Sequence, residues 1–405
     1  MPYQHGVYTS EVETALTAAP AVDASLPFVI GASPTAFGPK VISSWRQFYE
    51  VAGVADADLT PGDDGWFNLS LVSFAYFWFR IAGRGECIMQ GLESTGLTDH
   101  VSDLSTDDIL NALDSLDTLY EQTRRTPSLL VVPYFAKTAA IQAAMASKME
   151  QYGGRFKGLA LCDIPSSKQA LSDQEIYPIV EPEHALAAKT TVSPCLAACW
   201  PHCGVDDLRF DMSTVLAAVM NRVDGENGDL PFVSPSNKNC YATGLYTDDK
   251  EVEAVFLNRD DVNTKLDGNG IVSALNTASG WVIWGNNTTA FPGSTDVKDY
   301  LIPVRRMFNY VQNLFQLFAA SRIDNPLNRR QLEGVVNSFN QVLASLQGFG
   351  ALNAASVELD DERNTTAQLI AGVVYFRIRI APPPPMKEIH GVFEYDVVGF
   401  EASIA

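Results

Sequence analysis

Three cysteines at regular intervals, Cys195, Cys199 and Cys203, with His202 beside the last, have the best claim to chemistry in this chain. Thiolates and imidazoles are zinc ligands, but structural zinc sites use Cys-x2-Cys or Cys-x4-Cys pairs with a second pair further on. Spacings of four and eight would stack the three on one helix face, and Pro194 and Pro201 argue against a regular helix there. They read as buried free thiols, with a metal as the alternative. The chain holds 6 cysteines in 405 residues, an ordinary number for which reduced thiols are the default. The histidines (His5, His100, His184, His202 and His390) stand beside no Ser or Cys in a nucleophile motif. A strand–helix–strand pattern over 128–164 invites a nucleotide reading. The turn after its first strand, Phe135-Ala136-Lys137-Thr138-Ala139, has no glycine to let a pyrophosphate approach, and no phosphate-loop motif occurs elsewhere. No catalytic, cofactor-binding or metal residue is assigned, and these residues alone leave an enzyme open.

The elements that would position any site are clearer. Phe28 to Ile30 is a short apolar run ended by Gly31 and Pro34, a buried strand. Ser43–Val51 carries Trp45, Phe48 and Tyr49 at helical spacing, and Leu69–Arg80 reads as a buried helix. Glu86–Gln90 is a strand, and Asp99–Thr118 one helix plus surface loop. Ser128–Tyr134 and Gly158–Ile164 are apolar strands flanking the helix Ala136–Tyr152, whose stripe is Ile141, Met145, Met149 and Tyr152. Apolar strands joined by a helix imply a parallel sheet covered on both faces. Met212–Val223 is helical, Gly225–Pro235 a loop, and Val252–Leu257 and Asp261–Leu266 short helical candidates. Asp296–Ala320 spaces Val297, Leu301, Val304, Phe308, Val311, Phe315 and Phe318 by threes and fours, which predicts one amphipathic helix of about seven turns. Asn325-Pro326 reads as the start of a second helix, carrying Leu332, Val336, Phe339, Leu343 and Leu346 and stopped by Gly348. Leu369–Ile380 reads as a strand with Val374, Phe376, Ile378 and Ile380 on one face and Tyr375, Arg377 and Arg379 on the other.

The formal charge is −20, which argues against a nucleic-acid binder. Between Val297 and Gln347, however, six basic residues outnumber three acids, so an acidic partner or another copy of the chain is expected to meet that region. No apolar run is long enough for a membrane helix, and no basic-then-apolar leader is seen, so cytoplasmic synthesis is expected. Both ends have strand character on a tether. Tyr3 to Val12 precedes the small-residue stretch Thr14–Ala21, and Val392 to Val398 follows Pro382–Pro385. A tethered strand can add to another molecule's sheet, with backbone hydrogen bonds giving affinity and alternate side chains giving register.

Taken in order, the landmarks resemble the tail sheath family of contractile phages, R-type bacteriocins and related injection systems. Gly6-Val7-Tyr8-Thr9-Ser10-Glu11 resembles the family's "Pro-Gly-Val-Tyr-x-x-Glu" opening, and Val22 to Gly31 its first core strand. Val41 to Phe48 resembles its "Ile-x-Ser-x-x-x-Phe" element. Arg222 to Gly228 with Ser234-Pro235-Ser236-Asn237 resembles its central "Asp…Gly…Ser-Pro-x-Asn" block. Gly280 to Thr288 and Tyr300 to Tyr310 resemble "Trp-Gly-x-Arg-Thr" followed by "Val-Arg-Arg", except that Asn287 stands where Arg is usual.

The resemblance implies an α/β and α+β chain. A linking arm (1–21) leads into an α/β sheath domain (22–265, with an outward-facing insertion around 96–260). A C-terminal core domain of two helices and a β-sheet (266–381) and a second linking arm (382–405) complete it. It implies a structural subunit that polymerises with itself as stacked rings around an inner tail tube, meets baseplate and tail terminator proteins, and contracts to drive the tube through an envelope. Neither direct nucleic-acid binding nor membrane insertion is implied, nor any cofactor. The place implied is a virion tail or equivalent particle, assembled in the bacterial host cytoplasm. The alternatives are a non-contractile structural or adhesive virion protein and a cytosolic α/β enzyme with an unrecognised site. Intersubunit strand exchange would use Tyr3, Val7, Tyr8, Val12, Val374, Phe376, Ile378, Val392, Phe393, Tyr395 and Val397, and the tube would face Arg329 and Arg330.

Overall fold

The structure is a computed structural model that describes residues 22–98, 101–167, 169–248, 250–252, 260–397 and 403. Its main element is an eight-stranded sheet. Across it, the order is Gly280–Trp284, Ile271–Thr277, Leu196–Cys199, Leu159–Asp163, Leu129–Val131, Pro27–Ser33, Cys87–Glu93 and Phe37–Ile42. The inner six strands run parallel, and the strand at each edge is antiparallel. Phe28 lies opposite Ile88 on one side and Leu130 on the other. The central strands are buried at every position, which is why their sequences are continuous apolar runs without alternation.

Helices cover the sheet. Ala139–Glu150, capped by the Thr138 side chain, buries Ile141, Met145 and Met149, and Met212–Glu226 is buried over most of its length. Ser70–Ala75 runs on as a π-helical turn, Tyr76–Ile81, and packs so closely on the first strand that a Cβ on Gly31 would meet Ser70 Oγ at 2.8 Å. Ser70 Oγ accepts the Ala32 amide at 2.9 Å, so the close approach is also a hydrogen bond.

The second core lies in the C-terminal third. The helices Ile302–Ala320 and Arg329–Gly348 and the antiparallel pair Ala354–Leu359 and Phe376–Ala381 enclose Met307, Val311, Leu314, Phe339, Leu343 and Val357. Phe339 meets Phe315 edge-on at 5.0 Å. Val22 and Leu230 also belong to this cluster.

Several expectations are corrected. The single helix over 296–320 is two, Val297–Tyr300 and Ile302–Ala320, with Leu301 extended between them. Pro303 has no amide to give the Asp299 carbonyl, and its ring would strike that carbonyl in a continuous helix. The next helix starts at Arg329, where Asn328, not Asn325, accepts the Gln331 amide at 3.0 Å. The strand expected over 369–380 is shortened to Phe376–Ala381, because Thr365 caps a helical turn, Thr366–Ile370, and Gly372 turns the chain. Val374 lies in that connection, outside any strand. The face assignment holds from Phe376 onward. Phe376, Ile378 and Ile380 pack on the second core, while Arg377 and Arg379 pair with Asp360 and Glu358 on the other face.

The division after residue 265 falls elsewhere. The strands Ile271–Thr277 and Gly280–Trp284 complete the main sheet, and its core extends to Ile302. An insertion spanning 96–260 is likewise corrected, since three central strands of the sheet lie within it. The second helical candidate, Asp261–Leu266, is a π-helical turn, and most of the first lies outside the described residues.

Candidate assembly surface

The motifs singled out in the sequence meet beside residues 22–24, where the described chain begins, and around Lys387. At the N-terminal root, Asp23 Oδ1 meets Arg125 at 3.0 Å and its Oδ2 accepts the Thr126 amide at 3.0 Å. The Ala24 carbonyl accepts from Arg306 at 3.0 Å. Arg306 in turn makes two contacts with Asp224, one at 3.2 Å, and both side chains are buried. Burial pushes the Asp224 carboxyl up to about 6 against the pull of Arg306, so the pair is charged at neutral pH. Three separated stretches, 22–31, 222–228 and 300–310, are thus tied together by one guanidinium. Two further stretches meet beside them. Ser234 hydroxyl donates to the Asn286 side chain, and the Gly285 amide donates to Ser236 Oγ at 3.2 Å.

At the C-terminal root, the strand Phe376–Ala381 passes into Pro382–Pro385, and Lys387 then returns to the body. Its Nζ donates to Asn287 Oδ1 at 2.7 Å and lies over the rings of Phe291 and Tyr300 at 5.4 and 5.5 Å. Asn287 donates to Asp267 Oδ1 and to the Asp267 carbonyl, each at 3.0 Å. Burial lowers the Lys387 pKa against the opposing charge of Asp267, and burial raises that of Asp267 against Lys387. Asn287, which departs from the Arg usual at its position, is therefore a neutral bridge between an acid of the body and a cation of the arm.

Residues 388–397 are exposed. Val392 and Phe393 are 87% and 96% exposed, with Tyr395 and Val397 also exposed, and none lies in a strand. Acidic Glu394 and Asp396 alternate with Phe393, Tyr395 and Val397. The neighbouring hairpin has two strands and no third among the described residues; the Asn340 side chain takes the amide and carbonyl of Val357 on the outer edge of Ala354–Leu359, which leaves the outer edge of Phe376–Ala381 to pair. A groove of about 210 Å³ between the helix Ile302–Ala320 and the hairpin is lined by Val311, Phe315, Ile378 and Ile380, with Arg155 and Lys157 on its walls.

Other expected site residues are placed as follows. Phe376 and Ile378 are half-buried against the second core. Arg329 is exposed at the first turn of its helix and pairs with Glu333 at 2.7 Å; Arg330 beside it is exposed. Of the basic surplus over 297–347, Arg305 and Arg306 turn inward to Asp299 and Asp224. Tyr3, Val7, Tyr8 and Val12 lie outside the described residues. Cys199 and Cys203 fall in separate strands, the six cysteines are buried and free, and burial raises the thiol of each. Among the described residues no group of three or more His, Cys, Asp or Glu is placed to hold a metal, and no helix is long and apolar enough to cross a membrane.

No protein-family model matches the chain. Over 212 residues it is 26% identical to the tail sheath protein of Burkholderia phage BcepMu, covering 49% of this chain and 42% of that protein. Over 269 residues it is 26% identical to a putative prophage major tail sheath protein of Pseudomonas aeruginosa, covering 64% and 63%. The matched stretch is thus under two thirds of the length of either relative. Among solved structures, the anti-feeding prophage helical sheath in its contracted state superposes with a TM-score of 0.67 at 21% identity, covering 96% of this chain and 99% of that one. This is the fold of a contractile sheath subunit. The resemblance read from the sequence holds, and the sheath fold accounts for the mixed sheet and the helical C-terminal third together.

The sequence reading did not single out Lys387, Asp267 or the partner of Arg306. A lysine just after four prolines and an unexpected Asn287 were the available signals for the first two.

Proposed function

We propose that this chain is the repeating subunit of a contractile sheath: a structural, non-enzymatic polymer of stacked rings around an inner tube, whose contraction drives the tube through a cell envelope. The observation that carries the reading is a fixed C-terminal root followed by an exposed segment. The chain is pinned at Asp23–Ala24 and at Lys387, and beyond the second root residues 393–397 expose alternating apolar and acidic side chains, while the strand Phe376–Ala381 has an outer edge left to pair. Such a segment satisfies its backbone and its apolar face by adding to the hairpin of another copy. Glu394 and Asp396 suit the basic walls contributed by Arg155 and Lys157. The sheath fold and the tail sheath relatives support the same reading.

Strand exchange in this proposal uses the arm residues Tyr3, Val7, Tyr8, Val12, Val392, Phe393, Tyr395 and Val397, and the acceptor strand carrying Phe376 and Ile378. Arg329 and Arg330 face the tube. Baseplate and terminator proteins are the further partners, and a virion tail or equivalent particle, assembled in the host cytoplasm, is the place. Electron microscopy of the purified chain tests the polymer, which predicts hollow tubes or stacked rings; dispersed particles at every concentration would reject it. Co-assembly with tube protein tests the inner face. Replacing Arg329 and Arg330 by Glu weakens it in a salt-dependent way, and unchanged co-assembly at low salt would reject that assignment.

A further inference from the structure

A buried cluster at the C-terminal ends of the central strands is used by nothing above. Lys137 lies in the turn after the strand Leu129–Val131 and Asp211 at the N-terminus of the helix Met212–Glu226. Lys137 Nζ and Asp211 Oδ1 are 2.7 Å apart, with side-chain exposures of 0% and 5%. The contact lacks the alignment of a hydrogen bond, and neither atom has another hydrogen-bond partner among the described residues. Trp66 and Tyr134 wall the ammonium at 5.6 and 5.1 Å.

Asp211 occupies a capping position without capping its own helix. That task falls to Asp163, whose Oδ1 accepts the Ser213 amide at 2.9 Å while its other oxygen accepts the Ser213 hydroxyl. The carboxylate of Asp211 is instead turned to Lys137, and its Oδ2 accepts the Tyr134 amide at 2.6 Å. Tyr134 adopts a left-handed backbone, φ 71°, to present that amide.

We propose that Lys137 and Asp211 condense spontaneously into an intramolecular isopeptide bond. The reactive form is a neutral amine facing a neutral carboxylic acid, reached by one proton transfer across the 2.7 Å contact. Nζ attacks Cγ, and the Nζ–Cγ bond forms. Negative charge develops on Oδ2, where the Tyr134 amide already donates. A proton leaves the nitrogen, Oδ1 takes it up with the one it carries, the Cγ–Oδ1 bond breaks, and Oδ1 departs as water. Atoms and electrons balance with no oxidant, nucleotide or metal.

Asp163 is a positioning residue: it caps the helix through Ser213 and so leaves the Asp211 carboxylate turned to Lys137. Burial, then the charge of Asp211, raises its carboxyl to about 7. Holding the two groups in contact replaces the encounter that makes amide formation slow in solution. The product ties the strand-end turn to the helix covalently, which suits a subunit that transmits force. The inference rests on this cluster alone and stands whether or not the chain forms a sheath.

Intact-mass measurement of the full chain, denatured after purification, tests it. The expected mass is one water, about 18 Da, below that of the sequence. Digestion should then yield a branched peptide joining Lys137 to Asp211. Lys137→Arg and Asp211→Ala should restore the full mass, and Asp163→Asn should slow the loss of water at least tenfold. Full mass in the wild-type chain, or a water loss that maps to other residues, overturns the proposal whatever the variants do. Crosslinking in Asp163→Asn at the wild-type rate overturns the role given to Asp163.

Discussion

Arg306 concentrates more of the architecture than any other side chain. It is buried, and its partners, Asp224 and the Ala24 carbonyl, belong to distant parts of the sequence. Replacing it by Met keeps the aliphatic volume but strands Asp224 without its charge, a change that costs about 3–5 kcal/mol. Thermal unfolding of Arg306→Met should show that loss, and Asp224→Asn in the same background should recover part of it; an unchanged midpoint in the single variant would contradict the assignment.

Asp163 supplies a pH signature. Its folded carboxyl titrates at about 7 against an ordinary 3.8, so the native state holds the proton more tightly than the unfolded chain. The stability it contributes is full below about pH 4 and is lost as the pH rises through about 7, by roughly 2–4 kcal/mol. Formation of the Lys137–Asp211 bond leaves this sign unchanged, because burial is the larger cause. Denaturant unfolding across pH 4–8 should show the trend in the wild-type chain and a flatter profile in Asp163→Asn. Parallel profiles would contradict it. Neither residue was legible as a pair in the sequence. Asp163 and Asp211 are two acids among 48, and only the fold brings them to one helix N-terminus.

At the scale of elements, the apolar strands and stripes were readable because burial on both faces leaves a continuous pattern. Leu129–Val131, Leu159–Asp163 and the stripe Ile141, Met145 and Met149 are examples. Periodicity failed where one residue overrides it. Pro303 divides a stripe that reads as unbroken, and the side chain of Asn364, bonded to both the amide and carbonyl of Tyr375, fixes the strand start in place of another strand. The assembly surface was half legible. Strand-like ends show in composition, whereas Lys387 and its seat on Asn287 need the fold. Removing that seat with Lys387→Ala deletes one charge-assisted hydrogen bond, half-buried and worth about 1–2 kcal/mol, so the arm should detach about tenfold more often. Hydrogen exchange or limited proteolysis around Met386–His390 reads this directly, and protection equal to wild type would show that Lys387 does not hold the arm.

For the whole molecule, the two cores and the buried ties between them predict a body that moves as a unit. Ile302–Ala320 belongs to the second core yet is bonded to Asp224 and, through Asn309, to the Gly158 carbonyl of the sheet region at 2.8 Å. Rearrangement between states of a sheath is then expected in the segments outside the roots. On the C-terminal side the anchored stretch extends through Lys387, so a pivot is expected after the prolines. The most direct test of the account compares the full chain with a chain ending at Lys387, by electron microscopy alongside sedimentation. The account predicts tubes or stacked rings from the full chain and folded, dispersed monomers from the shortened one. Tubes of normal appearance from the shortened chain would contradict it.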